Sequence, residues 1–298
     1  MRKIYLFIIF LFSTSTIYAQ ESIEDQVSFL KALRLRMINA QDEELLALQN
    51  DTFRIAIRNF LNTDRSFFTQ LDSVSFIGDL YAPDNSFRII NWNIPKGEGF
   101  YAYYAFIQTH DKKEKTTTVF ELHDGKSNLN SPEYKTLDAD SWYGALYYEI
   151  IPNKTKKRTE YILLGWDGAS PMLNSKIIDI LYFNGRGEPK FGVTHFKLNR
   201  RMQRRVIFKY AEDAFMSLRY HPKKEMIVFD HLVPMKDGMD GIYEFYGPDF
   251  TYDAFKQKRD GSWEFVEQID IRQEKNNKNW NSPTRKNLPA SSSESNRE

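Results

Sequence analysis

FRIINWNIPKGEGFYAYYAFIQTHDKKEKTTTVFEL, residues 87–122, decides the fold class. It holds three runs, Phe87–Ile94, Phe100–Thr109 and Thr116–Leu122, in which the chain alternates with a period of two and aromatic residues are frequent. That pattern suits half-buried β-strands. The breaks between the runs are short, and glycine or charged residues fill them, as hairpin connections require.

The same period extends in both directions, beginning near Ser73 with Val74–Tyr81. Downstream it predicts strands over Ser141–Ile151, Glu160–Trp166, Lys176–Phe183, Arg205–Tyr210 and Ala214–Tyr220. Further strands are expected at Met226–Asp230, Ile242–Tyr246, Tyr252–Lys258 and Trp263–Asp270. Asp124-Gly125, Asn184-Gly185 and Asp260-Gly261 are the clearest turns between them. No long amphipathic helix separates the strands, which argues against a parallel βαβ fold. The expected fold is therefore mainly β, an antiparallel meander forming an irregular sandwich, a barrel or an open stack of sheets. A propeller-like alternative comes from Tyr81-Ala82-Pro83-Asp84, Tyr220-His221-Pro222-Lys223 and Tyr246-Gly247-Pro248-Asp249, each an aromatic before a proline turn. These echoes start 139 and then 26 residues apart, whereas propeller blades repeat at roughly forty.

Ahead of the β-rich region, assigned to 73–272, residues 20–72 read as helical. Ile23, Val27, Leu30, Leu33 and Met37 step by three or four, and Asn39 and Asp42 interrupt that face. Asp42, Glu43 and Glu44 suit a second helix start. Leu45, Leu48, Phe53, Ala56, Ile57, Phe60 and Leu61 supply its apolar face, and Asn62 is the expected stop. An N-terminal helical hairpin follows.

Residues 1–19 have the layout of a signal peptide: Arg2 and Lys3, an apolar run Ile4–Phe12, and Tyr18-Ala19-Gln20 as the cleavage region. The run is shorter than the roughly twenty residues a span requires. The chain has no cysteine, which excludes lipid attachment at a thiol, disulfides, thiolate catalysis and Cys-based metal sites. The expected location is the periplasm or the exterior, without a lipid anchor and with no membrane span after removal of the leader. Loss of Arg2 and Lys3 takes the 41 Lys and Arg to 39 against 40 Asp and Glu. Near-neutrality gives no pull towards nucleic acid. Residues 273–298, rich in Lys, Asn and Ser, read as a disordered tail that Trp280 and Leu288 could pin to the surface.

Specific catalytic motifs are missing. The histidines, His110, His123, His195, His221 and His231, form no HExxH pair, and no GxSxG elbow, GxGxxG or P-loop occurs. No cofactor and no metal site is expected. The candidate residues are few. Tyr161-Ile-Leu-Leu-Gly-Trp-Asp-Gly168 ends a strand in Trp166 and Asp167, readable as a ligand platform or as a packed indole beside an Asx turn. Asp230-His231 could orient an imidazole, although neighbours on a strand face opposite sides. Asp179 and His195 are further candidates. Asp237-Gly238-Met239-Asp240-Gly241 reads as a glycine-rich connection rather than a calcium loop. Lys154–Arg158 and Arg200–Arg205 read as solvated basic loops.

YILLGWDG (161–168), SKIIDIL (175–181), RVIFKYAEDAFMSLRYHPKKEMIVFDHLVP (205–234) and YGPDFTYDAFK (246–256) resemble a family of exported Bacteroidetes proteins with no assigned reaction. The resemblance covers about half of the mature chain. It implies lineage and compartment and transfers no site residues. The expected function is a non-enzymatic envelope protein, an interaction or ligand-binding module whose partner is an envelope protein or polysaccharide. The alternative is a hydrolase of envelope or extracellular polymers acting through carboxylates, with Asp167, Asp179 and Asp230 first in line.

Overall fold

The computed structural model describes residues 22–270 apart from Lys154, Lys156, Asn199 and Arg200. The leader at 1–19 and the tail at 273–298 lie outside the described residues.

Helices α1 (Ile23–Ile38) and α2 (Glu43–Leu61) start where side-chain acceptors are available. Ser22 Oγ accepts the Asp25 N–H at 3.1 Å, and Asp42 Oδ1 accepts the Leu45 N–H at 2.8 Å. Asn62 closes α2, as the sequence predicts. Leu30, Leu33 and Met37 meet Phe53, Ile57, Phe60 and Leu61 in one apolar cluster.

That cluster is completed by the first sheet, β1 (Gly78–Tyr81), β2 (Phe87–Pro95), β3 (Tyr101–Asp111) and β4 (Thr116–His123), antiparallel and in chain order. Strand alternation divides its side chains between two faces. Ile90, Trp92 and Phe106 face the helices, whereas Phe87, Ile89, Ala105 and Ile107 face the second sheet. Buried Arg88 ties the layers together. Its guanidinium bonds Gln108 and the carbonyl oxygens of Ser66 and Thr69, in the segment that leaves α2.

Next come β5 (Leu137–Asp138), β6 (Leu146–Asn153), β7 (Glu160–Ser170), β8 (Leu173–Phe183) and β9 (Pro189–Phe191). They are followed by β10 (Phe196–Leu198), β11 (Arg201–Gln203), β12 (Val206–Ala211) and β13 (Leu218–His221). Last come β14 (Met226–Pro234), β15 (Tyr246–Gln257) and β16 (Trp263–Val266). The second sheet runs β5-β9-β8-β7-β6, with β12 also on β8. The third runs β11-β10-β16-β15-β14-β13, and β10 and β16 are parallel, an exception to the antiparallel expectation.

The molecule is thus mainly β, with helices, first, second and third sheets stacked in chain order. The middle sheet is buried on both faces: Tyr161, Leu163 and Ile177 point to the first sheet, and Ile162, Leu164 and Ile178 to the third. The first sheet has four strands and the other two have six each in different orders, so no repeating blade relates them, and none closes into a barrel among the described residues. No helix among those residues is long and apolar enough to cross a membrane.

Several local expectations change. The strand at Glu160 continues through Trp166-Asp167-Gly168 to Ser170, because β8 begins at Leu173 and pairs along its length. Ile242–Tyr246 is not a strand; Tyr243–Phe245 is a 3-10 turn. Tyr246-Gly247-Pro248-Asp249 lies inside β15 instead of forming a turn. Arg205 is not solvated. It has no exposure and pairs with Asp179.

That pair has a structural cause. Along one edge of β8, β12 pairs residues 173–178 and β9 pairs residues 181–183. Asp179 sits at the junction. Its Oδ2 receives Arg205 Nε at 2.7 Å, its Oδ1 receives the Ile180 N–H at 2.8 Å, and Arg205 also donates to the Pro132 carbonyl. The pair supplies charge-assisted bonds where the edge ladder breaks.

Candidate functional site

Of the clefts among the described residues that bring polar and aromatic groups together, two are built around carboxylates singled out in the sequence, Asp230 and Asp167. The larger, about 930 Å³, opens on the outer face of the third sheet. Leu218, Ile227, Phe229 and Phe255 turn inward to the core, so Arg219, Val228, Asp230 and Tyr252 form the cleft floor. Phe215 and the segment from Met235 through Phe250 complete its lining.

A break in strand pairing aims one wall. Leu232 pairs Pro248, and Asp230 pairs Tyr252; between these pairs β14 has only His231, while β15 has Asp249, Phe250 and Thr251. The extra residues form a bulge. Asp249 Oδ1 holds it by accepting the Thr251 N–H at 2.9 Å and the Thr251 hydroxyl at 2.7 Å. Phe250 sits in the left-handed region at φ 69° and is 90% exposed. A bulky side chain rarely adopts that backbone, and no burial compensates it here. Phe215, 76% exposed, lines the same cleft. Bulges are frequent beside binding sites because they re-aim a side chain.

On the floor, Asp230 Oδ2 accepts the Ser217 N–H at 2.7 Å. Burial raises its carboxyl pKa, against the opposing effect of that bond and of Arg219. The adjacent His231 serves a different bond: its Nδ1 lies 2.7 Å from Asp253 Oδ2, and Asp253 Oδ1 accepts the Gln268 N–H. The Asp253 bond raises the imidazole pKa, with Asp249 and Glu267 adding to it and burial opposing. Asp230 and His231 therefore do not act on one group.

The sheet edge beside this cleft is closed to strand addition. Tyr148 donates its hydroxyl to the Leu218 carbonyl at 3.0 Å, and the Tyr220 N–H donates to Glu149. A ligand here meets side chains, not a free ladder.

No family model, no curated protein and no solved structure matches this chain. The geometry alone carries the assignment of roles.

The second cleft, about 520 Å³, lies where α2, the first sheet and the second sheet meet. Its walls include Arg54, Lys96, Phe100, Tyr101, Tyr104 and His123. Lys126 forms part of the floor. Its ammonium is 2.5 Å from Oδ1 of fully buried Asp167 and stands over the rings of Tyr103 and Tyr143, at 4.6 and 5.6 Å. Asp124 caps the turn by accepting the Lys126 N–H, and burial raises its pKa. A Cβ on Gly144, which has φ +74°, would overlap the Asp124 carboxylate, and one on Gly168 would press the Tyr101 ring. Only glycine allows so close an approach.

The sequence candidates are thus dispersed. Asp230 lines the outer cleft, and Asp167 anchors the inner one. Trp166, half-buried, packs edge-on against Tyr101 at 5.7 Å. Asp179 has no exposure and belongs to the core. His195 bonds Glu160 at 2.7 Å. Among the described residues no three His, Asp or Glu side chains are placed to hold a metal. Sequence reasoning missed Phe215, Phe250, Asp124 and Lys126. For the inner cleft the available signal was the pair of Asp-Gly steps at 124–125 and 167–168. For the outer cleft it was a phenylalanine directly after the Pro-Asp step at 248–249, ahead of the strand expected from Tyr252.

Proposed function

We propose that this chain is a non-enzymatic, exported binding module of the bacterial envelope, and that the outer cleft is where it holds its partner. The observation that carries the reading is the bulge at Asp249–Thr251, which holds Phe250 out of the core in an unfavourable backbone conformation in the lining of the 930 Å³ cleft. Such local strain persists where the surroundings impose it, and it clusters at binding sites. Phe215 and Phe250 offer two apolar faces, while Asp230, Arg219 and His221 offer polar groups between them. An apolar cleft with a few convergent polar groups is the usual form of a ligand site. Export rests on the leader pattern at 1–19.

The test is hydrogen exchange across β15 with solubilised envelope fractions, either protease-treated or polysaccharide-depleted. Binding slows exchange at residues 246–252, F250A removes the effect, and the treatment that abolishes it identifies the partner class. No protection by any fraction, or protection that survives F250A and F215A, contradicts the reading.

A hydrolase reading has one observation in its favour: Asp230, with its raised pKa, and Glu244 line the same cleft. A carboxyl whose pKa burial raises is displaced in the direction that general-acid chemistry requires. Polymer turnover that D230N and E244Q both abolish would favour it over simple binding.

A further inference from the structure

The inner cleft uses none of the residues of the outer one, and its floor is built with care for one group. Lys126 is fixed at three points: by its backbone N–H on Asp124, by its ammonium on Asp167, and by the two ring faces below it. Among the described residues, Asp167 is the one hydrogen-bond acceptor of an ammonium that carries three N–H donors. The side chain keeps 26% exposure and lines the cleft. A lysine held this way loses little further side-chain entropy when it binds an anion.

The other charges leave that role open. Arg54 and Arg58 both converge on Glu121, whose pKa is lowered although burial opposes it. Lys96 faces Asp124 from the β2–β3 turn. Asp167, fully buried, is shielded from the cleft by Lys126, and its Oδ2 has no hydrogen-bond partner. Removing Lys126's charge would leave that carboxylate buried and unpaired, which explains why the ammonium stays in place. Asp167 and Asp124 balance the charge of Lys126 and Lys96, so the attraction for an anion is local to the donors those two ammonium groups present and is not a product of net charge. Beside them, Phe100 and Tyr101 are 43% and 37% exposed, enough to present ring faces to a ligand.

We propose that the inner cleft is a second binding site, specific for a carboxylate carried on a sugar ring, the chemistry of a uronic acid residue. The Lys126 ammonium takes the carboxylate, Lys96 supports it, and Tyr101 with Phe100 covers the apolar face of the ring. Stacking of a ring face on an aromatic side chain and a charge-assisted hydrogen bond are independent contributions, and the site offers both.

The probes are galacturonate, galactose and inorganic phosphate, titrated calorimetrically into the full chain, with Trp166 fluorescence as a second readout through its contact with Tyr101. Galacturonate is expected to bind at least tenfold more tightly than either galactose or phosphate. The paired variant K126Q/D167N, which removes both charges without stranding one, should weaken galacturonate at least tenfold at unchanged melting temperature. Y101A leaves the ion pair in place, so it covers the case in which the paired variant does not fold; it should weaken galacturonate and leave phosphate alone. Equal affinity for galacturonate and galactose overturns the role of Lys126. Equal affinity for galacturonate and phosphate overturns the ring. Unchanged binding in both variants overturns the site. F250A should leave all three titrations unaltered, so failure here is separate from failure at the outer cleft.

Discussion

Asp179 and Asp230 occupy comparable places, each inside a long strand of a stacked sheet, yet they have opposite surroundings. Asp179 belongs to the middle sheet, which other layers cover on both faces, and it has no exposure. Asp230 belongs to the last sheet, whose outer face no further sheet covers among the described residues, and it lines a cleft. The difference teaches that position in the stack, not residue type or strand context, decides whether a carboxylate holds the fold together or meets a ligand. A buried carboxylate in the middle needs a fixed cation, and Arg205 supplies it. At the end of the stack Asp230 accepts one backbone N–H and lies within reach of the Arg219 charge.

The comparison can be broken most forcefully at Arg205. R205M should destabilise the protein by about 3–5 kcal/mol in urea unfolding, because it strands the Asp179 carboxylate. Adding D179N should recover much of that loss. D230N, by contrast, should leave stability nearly unchanged. A small effect of R205M would remove Asp179 from the structural class.

A smaller loss is expected at Gly144, where the inner cleft needs both a left-handed backbone and room for Asp124. G144A should cost about 1–3 kcal/mol and should also weaken galacturonate binding, since Asp124 fixes the turn that presents Lys126. Wild-type stability in G144A would show that the layers are not held so closely there.

The smallest stability effect sharpens the picture of the bulge. His231 gains its partner Asp253 on folding, so its pKa is raised above the ordinary value. Its contribution to stability is fully present below the unfolded value of about 6.5 and is lost as pH rises through the higher folded value. D253N should remove that dependence, and an NMR titration of His231 should then move towards the unfolded value. A His231 titration at or below the ordinary value in the native protein would contradict the geometry.

Much of this architecture was legible in the chain. The 3.6-residue steps at Ile23–Met37 and the break at Asn39–Asp42 gave the two helices almost to the residue, since caps are local chemistry. The period-two runs gave the strands of the first sheet for the same reason. Short strands such as β9, β10 and β11 were not legible, because three residues are too few to show a period and non-local pairing holds them. The stacking of sheets was hidden as well: alternation shows two faces, not what each face meets. Asp167 stood out within its sequence string, but Lys126, its partner forty-one residues away, did not. Phe250 was hidden for a different reason: it fell between the turn expected at 246–249 and the strand expected from Tyr252, where sequence shows neither backbone angle nor exposure.

The central claim is that Phe250 is held for binding at some expense to the fold, and F250G tests it directly. Glycine adopts the left-handed backbone freely, and a side chain that is 90% exposed surrenders little packing. The account predicts stability between unchanged and about 1 kcal/mol higher than wild type, together with loss of envelope-dependent protection across residues 246–252. A destabilised F250G protein that still shows full protection would contradict it.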